Sequence, residues 1–431
     1  MKIAVVGTGY VGLTQAAGFA NSGNNVIGID HDVEKINSLR NGIVPIFEPG
    51  LENLVKTNLR EGRLKFSNDM RDVNSSEVVF ICVGTPPKPD GSPDLSYVQK
   101  VAEDLGDVLN NYAVIVEKST VPVMTAGWMK TILRSRLNDF DIAVNPEFLS
   151  EGSAVRDFTK PDRIVIGAEN PKAFGILIKL YQESNTAPIL PVTIEEAELI
   201  KHASNAFLAM KISYANSVAR LCDAVGADVS KVMKGVGMDR RIGEDFLRAG
   251  LGFGGFCFPK DLSAFIALYR QHGVDPSLLE SVAEINRTQV RYFTDKIYSV
   301  FGRDLSDKTM AVLGLAFKPN TDDVRLAQSI PLIEELRSQG ANIRVYDPKA
   351  MDNFSKIYSP KEIYFAEDPY DAVDRSHAVI IATEWTEFEN LDFDRVREDT
   401  SYVFDGRNMF DLDRMKSLGM NYYSVGRKSV K

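Results

Sequence analysis

The feature that most constrains the fold is a glycine motif close to the N-terminus. The apolar segment KIAVVG (2–7) leads into GTGYVG (7–12), a run of small residues compatible with a helix follows, and NNVIGID then ends in Asp30. A G-x-G-x-x-G sequence between a strand and a helix, with an acid about 20 residues further on, is typical of a dinucleotide-binding βαβ unit. The sequence therefore predicts a parallel sheet that binds a dinucleotide.

Each residue of this motif has its own physical role. Gly7 makes the tight turn, Gly9 lets the backbone approach a pyrophosphate at the helix N-terminus, and Gly12 lets the helix pack on the strand. Asp30 is placed to bind a ribose hydroxyl and would repel a 2′-phosphate, so the predicted cofactor is NAD rather than NADP. A glycine-rich turn without a ligand is the alternative, and the complete fingerprint argues against it.

Length and composition limit the class of protein. A chain of 431 residues is too long for one core and predicts two or three domains. A net charge of −9 argues against a general affinity for nucleic acid or for an anionic membrane. Three widely spaced cysteines and four histidines argue against a disulfide framework and a structural zinc site, so no metal is predicted. The chain shows no signal segment and no long apolar run, and the expected location is the cytoplasm.

Strands and helices alternate in the first and last parts of the chain. Apolar strands are predicted within 77–86, 112–122, 141–152 and 162–170, and a second strand, glycine turn and helix begin at 308. Between them, residues 193–240 change character: the segment IEEAELIKHASNAFLAMKISYANSVARLCDAVG has apolar positions at helical spacing and no proline for over 30 residues, which predicts a long central helix. The fold class is therefore α/β, with two Rossmann-like doubly wound domains joined by a long central helix. The expected domains are 1–195, 196–300 and 301–431.

A second glycine-rich segment, GLGFGGFCFPKD (250–261), carries the most reactive side chain. It places Cys257 behind three glycines and three residues before Lys260, which Asp261 follows. Pro259 is predicted to fix the exit of the loop, and Asp261 to cap the following helix. A cysteine near a helix N-terminus and a lysine is expected to be a reactive thiolate. A buried, inert cysteine in a glycine-rich turn is the alternative.

Two pairs of polar residues have helical spacing. Lys201 and Asn205 lie four residues apart in the predicted central helix and hence on one face. Glu147 and Glu151 have the same spacing in NPEFLSEG and are expected to share a helical turn. Solvated surface residues are the alternative for both pairs.

The assembled motifs resemble the UDP-glucose 6-dehydrogenases, within the wider family of UDP-glucose and GDP-mannose dehydrogenases. The resemblance covers nearly the whole chain and rests on GTGYVG (7–12), GTPP (84–87), KSTVPV (118–123), NPEFLSEG (145–152), PDRIVIG (161–167), ELIKHASNAF, FGGFCFPKD (253–261) and GLAFKPNTDDVR (314–325). It implies an enzyme that oxidises the C6 hydroxyl of a nucleotide sugar to a carboxylate with two NAD⁺. UDP-glucose is the expected sugar nucleotide.

The resemblance also implies roles for the catalytic side chains. Cys257 would be the nucleophile that holds the aldehyde as a thiohemiacetal and then as a thioester, which splits a hard step into two. Lys201 and Asn205 would stabilise the oxyanion at C6. Asp261, Glu147 and Thr120 correspond to groups that manage the proton or the hydrolytic water.

Binding residues follow from the same resemblance. The implied cofactor contacts are Gly7, Gly9, Tyr10, Val11, Gly12, Asp30, Lys35, Thr85, Thr120, Glu151 and Arg325. The implied substrate contacts are Glu147, Phe148, Leu149, Glu151, Lys201, Asn205, Arg241, Arg248, Phe253, Gly254, Cys257, Phe258, Phe317, Lys318 and Arg407. Arg241 is expected to reach in from a second subunit of a homodimer or higher even homo-oligomer built on residues 195–225. The last domain would bind the nucleotide end of the nucleotide-sugar substrate.

The sequence departs from the family pattern at two positions, and three alternative functions remain open. Phe256 stands where the family commonly has serine, and Arg248 where many relatives have lysine. A UDP-N-acetylhexosamine dehydrogenase of the same family would share nearly every catalytic position, whereas FKPNTDDVR and CFPKD resemble the UDP-glucose branch more than the GDP-mannose branch, whose 6-dehydrogenase is a further alternative. A two-electron dehydrogenase of the 6-phosphogluconate type would have no use for Cys257. An NAD-sensing interaction protein would leave both Cys257 and Lys201 unexplained.

Overall fold

The computed structural model describes every residue, Met1–Lys431, and divides the chain into two compact units. The first unit contains Met1–Ser204 together with Ser263–Val274, and the second contains Asn205–Leu262 together with Asp275–Lys431. Each unit is built on one sheet, and the long helix Ile194–Val225 joins the two. The predicted α/β class with two Rossmann-like parts and a long central helix is confirmed.

Eight strands form the sheet of the first unit. They are β1 (Lys2–Val6), β2 (Asn25–Ile29), β3 (Leu64–Ser67), β4 (Val78–Ile81), β5 (Ala113–Glu117), β6 (Phe140–Val144), β7 (Ile164–Ala168) and β8 (Ile189–Val192). Their order is β3-β2-β1-β4-β5-β6-β7-β8. All neighbours are parallel except β6 and β7, which are antiparallel. The carboxyl ends of β1 to β6 therefore lie at one edge.

Helices cover both faces of this sheet. They are α1 (Tyr10–Asn21), α2 (Val33–Arg40), α3 (Leu51–Arg60), α4 (Ser96–Val108), α5 (Thr125–Arg134), α6 (Ala154–Thr159) and α7 (Pro171–Gln182), with a 3₁₀ helix at Met70–Ser75. Along β1, Ile3 and Val5 join the core on one face of the sheet, whereas Ala4 and Val6 join the core on the other. This double burial explains the unbroken apolar sequence of the strand.

The turn between β1 and α1 requires its glycines. Gly7 has φ +94°, and a Cβ at this position would lie 2.7 Å from the carbonyl oxygen of Cys82. A Cβ on Gly12 would lie 1.8 Å from the carbonyl oxygen of Gly7. Gly7 therefore makes the tight turn, and Gly12 allows the helix to pack closely on it, as the sequence predicts.

The second unit contains a six-stranded, wholly parallel sheet. Its strands are β9 (Thr309–Leu313), β10 (Asn342–Tyr346), β11 (Tyr364–Phe365), β12 (Ala378–Ile381), β13 (Tyr402–Asp405) and β14 (Asn421–Ser424), in the order β11-β10-β9-β12-β13-β14. One continuous hydrophobic core runs through this unit. The sheet repeats the arrangement around β1 in the first unit, with the first strand of the fold at its centre.

Ten further helices complete the chain. They are α8 (Ile194–Val225), α9 (Val229–Gly237), α10 (Cys257–Gln271), α11 (Ser277–Phe301), α12 (Ser329–Ser338), α13 (Met351–Phe354), α14 (Pro369–Val373), α15 (Thr386–Glu389), α16 (Phe393–Asp399) and α17 (Leu412–Ser417). None of them, nor any earlier helix, is long and apolar enough to cross a membrane. The division into 1–195, 196–300 and 301–431 stays a prediction.

Two local predictions were wrong. Helix α10 begins at Cys257, so Pro259 lies in its first turn and Asp261 lies inside the helix instead of capping it. Proline is tolerated in a first turn, where its missing N–H has no helical partner. The Glu147–Glu151 segment is not helical, because α6 starts only at Ala154. The predicted long central helix is confirmed as α8, which ends at Val225, and a separate helix, α9, follows it.

Glu117 yields a prediction about stability. Its side chain is fully buried at the end of β5, where Oε1 accepts a hydrogen bond from the Ser119 amide at 2.8 Å and Oε2 has no partner. Burial raises its pKa from 4.5 to about 8. The folded protein therefore holds a proton that the unfolded chain loses first as pH rises, and stability falls between these two pKa values.

We expect Glu117→Gln, which cannot ionise, to raise Tm by about 3 °C or more near pH 8.5 and by less near pH 5. Thermal unfolding at both pH values measures the difference. Glu52→Gln, at an exposed glutamate on α3, is the control and should change Tm little at either pH. A gain at Glu117→Gln that is equal at both pH values would contradict the prediction.

Candidate active site

The N-terminus of α1 is open to a ligand. Gly9 is exposed directly before this helix, and a Cβ placed on it would meet no atom within 4 Å. Tyr10 and Val11 are half-buried in the first turn. The backbone amides of the first turn and the positive end of the helix dipole at this position suit a pyrophosphate.

Asp30 follows β2 and is held as a hydrogen-bond acceptor. Its Oδ2 accepts from the Thr8 amide at 2.9 Å, from Thr8 Oγ1 at 2.8 Å and from Lys35 Nζ at 2.9 Å. Burial opposes ionisation, but the bonds from Lys35 and Thr8 outweigh it and lower the pKa of Asp30 to about 2. Lys35 offsets part of the negative charge of Asp30. Rejection of the 2′-phosphate of NADP would therefore rest mainly on the inability of the Asp30 carboxylate to donate a hydrogen bond to it.

The carboxyl ends of β4 and β5 are tied together. Thr85 is buried, and its Oγ1 donates to the carbonyl oxygen of Thr120 at 2.9 Å. Ser119 Oγ donates to the carbonyl oxygen of Val83 at 2.8 Å. Thr85 therefore fixes the segment that carries Thr120 at the edge of the sheet where Gly7 and Asp30 also lie.

A buried ion pair stands at the end of β6. Lys201 Nζ lies 2.9 Å from Glu147 Oε1, and the side chains are 5% and 6% exposed. Glu147 Oε2 accepts from the Leu149 amide at 2.6 Å. The Phe148 ring lies under the Arg163 guanidinium at 3.7 Å, whereas Glu151 is half-buried further along. The ammonium can stabilise a developing oxyanion, and the carboxylate can accept a proton.

A second buried lysine, which was not predicted as a site residue, lies beside this pair. Lys118 Nζ donates to Asn145 Oδ1 at 2.7 Å and to Tyr181 OH at 3.3 Å. Burial lowers the pKa of Lys118 to about 8. Asn145 precedes Glu147 by two residues, so Lys118 helps to fix the exit of β6. A lysine that ends an otherwise apolar strand was the available signal, since such a group needs buried partners.

Cys257 is the first residue of α10 and is half-buried. The positive end of a helix dipole favours a thiolate at this position. One turn along, Asp261 is almost fully buried. Its Oδ2 accepts from Asn205 Nδ2 at 2.6 Å, and its Oδ1 lies 2.6 Å from Lys260 Nζ. The predicted group of Cys257, Asn205 and Asp261 is thus brought together within the second unit, with Lys260 as an added member.

An aromatic cluster adjoins the start of α10. The backbone of Phe253 exchanges hydrogen bonds with the Asn286 side chain at 2.8 and 3.0 Å. The Phe258 ring contacts Phe253 and Phe246 edge to face, each at 6.1 Å between centroids. Gly254 lies against the carbonyl of Leu326, where a Cβ would be 2.4 Å from the oxygen. This packing holds the segment before Cys257 in one conformation.

Arg407 connects the turns at the carboxyl edge of the second sheet. Its Nε donates to the carbonyl oxygen of Ala382 at 2.7 Å and its Nη2 to that of Phe317 at 3.3 Å. The buried Asp405 carboxylate accepts from the Arg407 amide at 2.8 Å and so fixes the turn. Lys318 is half-buried, with Nζ 5.5 Å from the Phe317 ring centroid. The predicted residues Phe317, Lys318 and Arg407 therefore form one group.

Other predicted residues lie apart from these groups. Arg241 is exposed and bound to Asp239 at 2.6 Å, and Arg248 is exposed as well. The remaining cysteines differ in exposure: Cys82 is half-buried and Cys222 is buried. Burial raises the pKa of Cys82 to about 12, although this residue follows β4 instead of lying inside it as predicted.

Family models match the chain in three parts. Residues 1–185 match the NAD binding domain of the UDP-glucose/GDP-mannose dehydrogenase family, residues 195–288 its central domain and residues 311–412 its UDP binding domain. The NAD cofactor predicted from GTGYVG and Asp30 is thereby confirmed. The match to a UDP binding domain likewise supports a nucleotide-sugar substrate.

Individual relatives span the full chain. A UDP-glucose 6-dehydrogenase of Bacillus subtilis is 44% identical over 100% of this chain and 94% of that protein, and one of Rhizobium meliloti is 43% identical over 99% and 100%. A UDP-glucose dehydrogenase structure from Pyrobaculum islandicum has a TM-score of 0.93 and 39% identity, covering 99% of this chain and 98% of that one. A UDP-D-ManNAc dehydrogenase structure from Pyrococcus horikoshii has a TM-score of 0.88 and 28% identity, covering 99% of each chain. From the fold, the site and these matches, the chain belongs to the UDP-glucose/GDP-mannose dehydrogenase family.

Proposed function

We propose that this chain is an NAD-dependent dehydrogenase that oxidises UDP-glucose at C6 to UDP-glucuronate and consumes two NAD⁺. The observation that carries the proposal is the grouping of Cys257 at the start of α10 with the Asn205–Asp261 hydrogen bond one turn along. A two-electron dehydrogenase needs no such cysteine. Relatives at 44% and 43% identity are UDP-glucose 6-dehydrogenases, whereas the UDP-D-ManNAc enzyme is 28% identical, which favours UDP-glucose over an N-acetylated sugar.

The residues around α1 fit the cofactor. Gly9 and the first turn of α1 would hold the pyrophosphate, and Asp30 with Lys35 the adenosine ribose. Thr85, Thr120, Glu151 and Arg325 are the remaining proposed contacts. NAD⁺ supplies a hydride acceptor for each of the two oxidations, so one alcohol, two NAD⁺ and one water yield one carboxylate, two NADH and three protons.

The protein's own groups act on C6 of the sugar. At the aldehyde stage the Cys257 thiolate adds to C6, a C–S bond forms and the carbonyl electron pair moves to oxygen. The Lys201 ammonium and the Asn205 amide would stabilise that oxyanion. After the second oxidation, water attacks the thioester, the C–S bond breaks and the thiolate leaves. Glu147, Asp261 and Thr120 would take up or position the protons of these steps.

The Lys201–Glu147 pair suits both halves of this chemistry. The Glu147 carboxylate can accept the C6 hydroxyl proton, and the Lys201 ammonium can stabilise the negative charge left on that oxygen. The Glu147 carboxylate keeps Oε1 on Lys201 and Oε2 on a backbone amide, so its orientation is fixed when water must be deprotonated. We therefore assign Glu147 to the hydrolytic step.

The nucleotide end is assigned to the second sheet. Lys318 and Arg407 provide local positive charge in a protein of net charge −9, and both follow strands at the carboxyl edge of a parallel sheet. Phe253, Phe258 and Phe317 would line the sugar and uracil side. The parts 1–195, 196–300 and 301–431 are then the NAD-binding, central and UDP-sugar-binding domains. The free cysteines suit a reducing compartment, so the cytoplasm is the proposed location.

A homodimer is proposed from one face of α8. Phe207, Tyr214 and Leu221 recur every seven residues and are 57%, 53% and 61% exposed. Seven residues are nearly two helical turns, so these side chains form one apolar row. An exposed row of large apolar side chains is typical of a contact with another subunit, and a second copy of α8 presents the same row. Arg241 would enter the partner's site.

The covalent step is tested at Cys257. We expect Cys257→Ala to lower UDP-glucuronate formation by about 10³-fold or more while NAD⁺ and UDP-glucose still bind, because other residues hold both ligands. Cys257→Ser should capture the aldehyde slowly and stall as an ester, seen as added mass on the intact protein. NADH and acid formed per sugar are the measurements, and wild-type acid formation by Cys257→Ala would contradict the mechanism.

Selective alkylation provides the control for this result. Iodoacetamide should label Cys257 first, with protection by UDP-glucose, because burial raises the pKa of Cys82 to about 12 and Cys222 is buried. Iodoacetamide should inactivate the Cys82→Ser variant at the same rate as the wild type. A panel of nucleotide sugars assayed with the wild type decides between UDP-glucose and a UDP-N-acetylhexosamine.

The substrate end is tested at Lys318. Removing a charged donor to a diphosphate should raise the KM for UDP-glucose about tenfold with the KM for NAD⁺ unchanged. We choose Lys318→Ala because Arg407 also bonds the backbone of its own unit and its loss would disturb the fold. Lys416→Ala, an exposed lysine on α17, is the matched control. An unaltered KM in Lys318→Ala would remove the assignment.

The dimer is tested on α8. Tyr214→Glu should shift the sedimenting species from dimer to monomer, whereas Ile357→Glu, at an exposed apolar residue outside the row, should not. Mixing inactive Arg241→Ala with inactive Cys257→Ala should restore activity, since one site of the mixed dimer would then be intact. A wild-type protein that is a fully active monomer would exclude both the dimer and the role of Arg241 across subunits.

A further inference from the structure

Phe256, directly before Cys257, has two cationic side chains close to its ring. Its centroid is 4.5 Å from the guanidinium carbon of Arg325 and 5.6 Å from Lys260 Nζ. An aromatic face attracts a cation within about 6 Å of the ring centre. All of these residues belong to the second unit, and Phe256 is half-buried.

The Arg325 guanidinium is oriented by two contacts of different kinds. Its Nε and Nη2 donate to the two carboxylate oxygens of Asp323, at 2.9 Å to Oδ1 and 2.6 Å to Oδ2, and the Arg325 amide also donates to Oδ1 at 2.9 Å. The bidentate pair fixes the edge of the guanidinium plane. The Phe256 ring adds the second contact, a cation–π one. The side chain remains 45% exposed, so a ligand can still reach it.

The second cation near the ring belongs to the catalytic group. Lys260 Nζ lies 2.6 Å from Asp261 Oδ1, and both side chains are almost fully buried. Two cations close to one aromatic ring would repel each other without a partner of their own. Here Asp323 pairs with one and Asp261 with the other, which limits that repulsion.

We propose that Phe256 is a positioning residue that holds the Arg325 guanidinium in the orientation needed to bind the cofactor. The inference rests on the proposed function, in which Arg325 contacts NAD. The family commonly has serine at this position, so the stacked ring is a property of this chain. Phe256 is not assigned any part in the reaction at C6.

The test compares variants that remove or keep the aromatic face. Phe256→Leu should weaken NAD⁺ binding about fivefold, whereas Phe256→Tyr should stay within about twofold of the wild type. With saturating NAD⁺, kcat of Phe256→Leu should remain within about twofold. Calorimetric titration with NAD⁺ and steady-state kinetics are the measurements. Tyr370→Leu is the matched control, because it removes a ring stacked at 4.0 Å on Arg395 in the same unit.

A double-mutant cycle separates positioning from simple packing. Once Arg325→Ala has removed the guanidinium, Phe256→Leu should cause no further loss of NAD⁺ affinity. Full additivity of the two losses would overturn the proposal, and so would an unchanged Kd in Phe256→Leu or an equal loss in Phe256→Tyr. A wild-type protein that fails to bind NAD⁺ would contradict the proposed function itself, which distinguishes the two failures.

Discussion

The first unit depends on how closely α1 approaches the ends of β1 and β4. The backbones at Gly7, Gly12 and Cys82 come so near to each other that a single added Cβ would overlap a carbonyl oxygen. This approach aims the first-turn amides of α1 at the edge of the sheet where the parallel strands end. Every other polar group of that edge, from Asp30 to Glu147, is placed by the same parallel geometry.

The aspartates at the same position in the two sheets, Asp30 and Asp347, have different hydrogen-bond partners. Asp347 follows β10 as Asp30 follows β2, but its two oxygens accept from the amides of Leu315, Ala316, Lys349 and Ala350 and from Trp385 Nε1. A carboxylate that receives five bonds from its own chain has little capacity left for a ribose. The second turn also lacks the G-x-G-x-x-G sequence, and both features fit a unit that binds a ligand other than NAD.

The sequence was most informative where a backbone motif determines a local structure. GTGYVG predicts β1, α1, the roles of Gly7 and Gly12, and the NAD cofactor, because few other residues tolerate such close contacts. The sequence was less informative where contacts between residues distant in the chain determine the local structure. Lys118 and Glu117 are buried by neighbours distant in the chain, and α10 starts at Cys257 because Pro259 suits a first helical turn as well as a loop exit. The stacking of Phe256 on Arg325 joins positions that no spacing connects.

The single antiparallel pair in the first sheet determines from which side Lys201 arrives. Because β7 and β8 run opposite to β6, with Val192 paired to Gly167 and Gly167 paired to Val144, the chain leaves β8 level with the last residue of β6. Helix α8 then begins beside Gly167 of β7 and climbs about 10 Å from Ile194 to Lys201. Because these two strands are reversed, the rise of α8 along its axis brings the buried Lys201 ammonium to the Glu147 carboxylate.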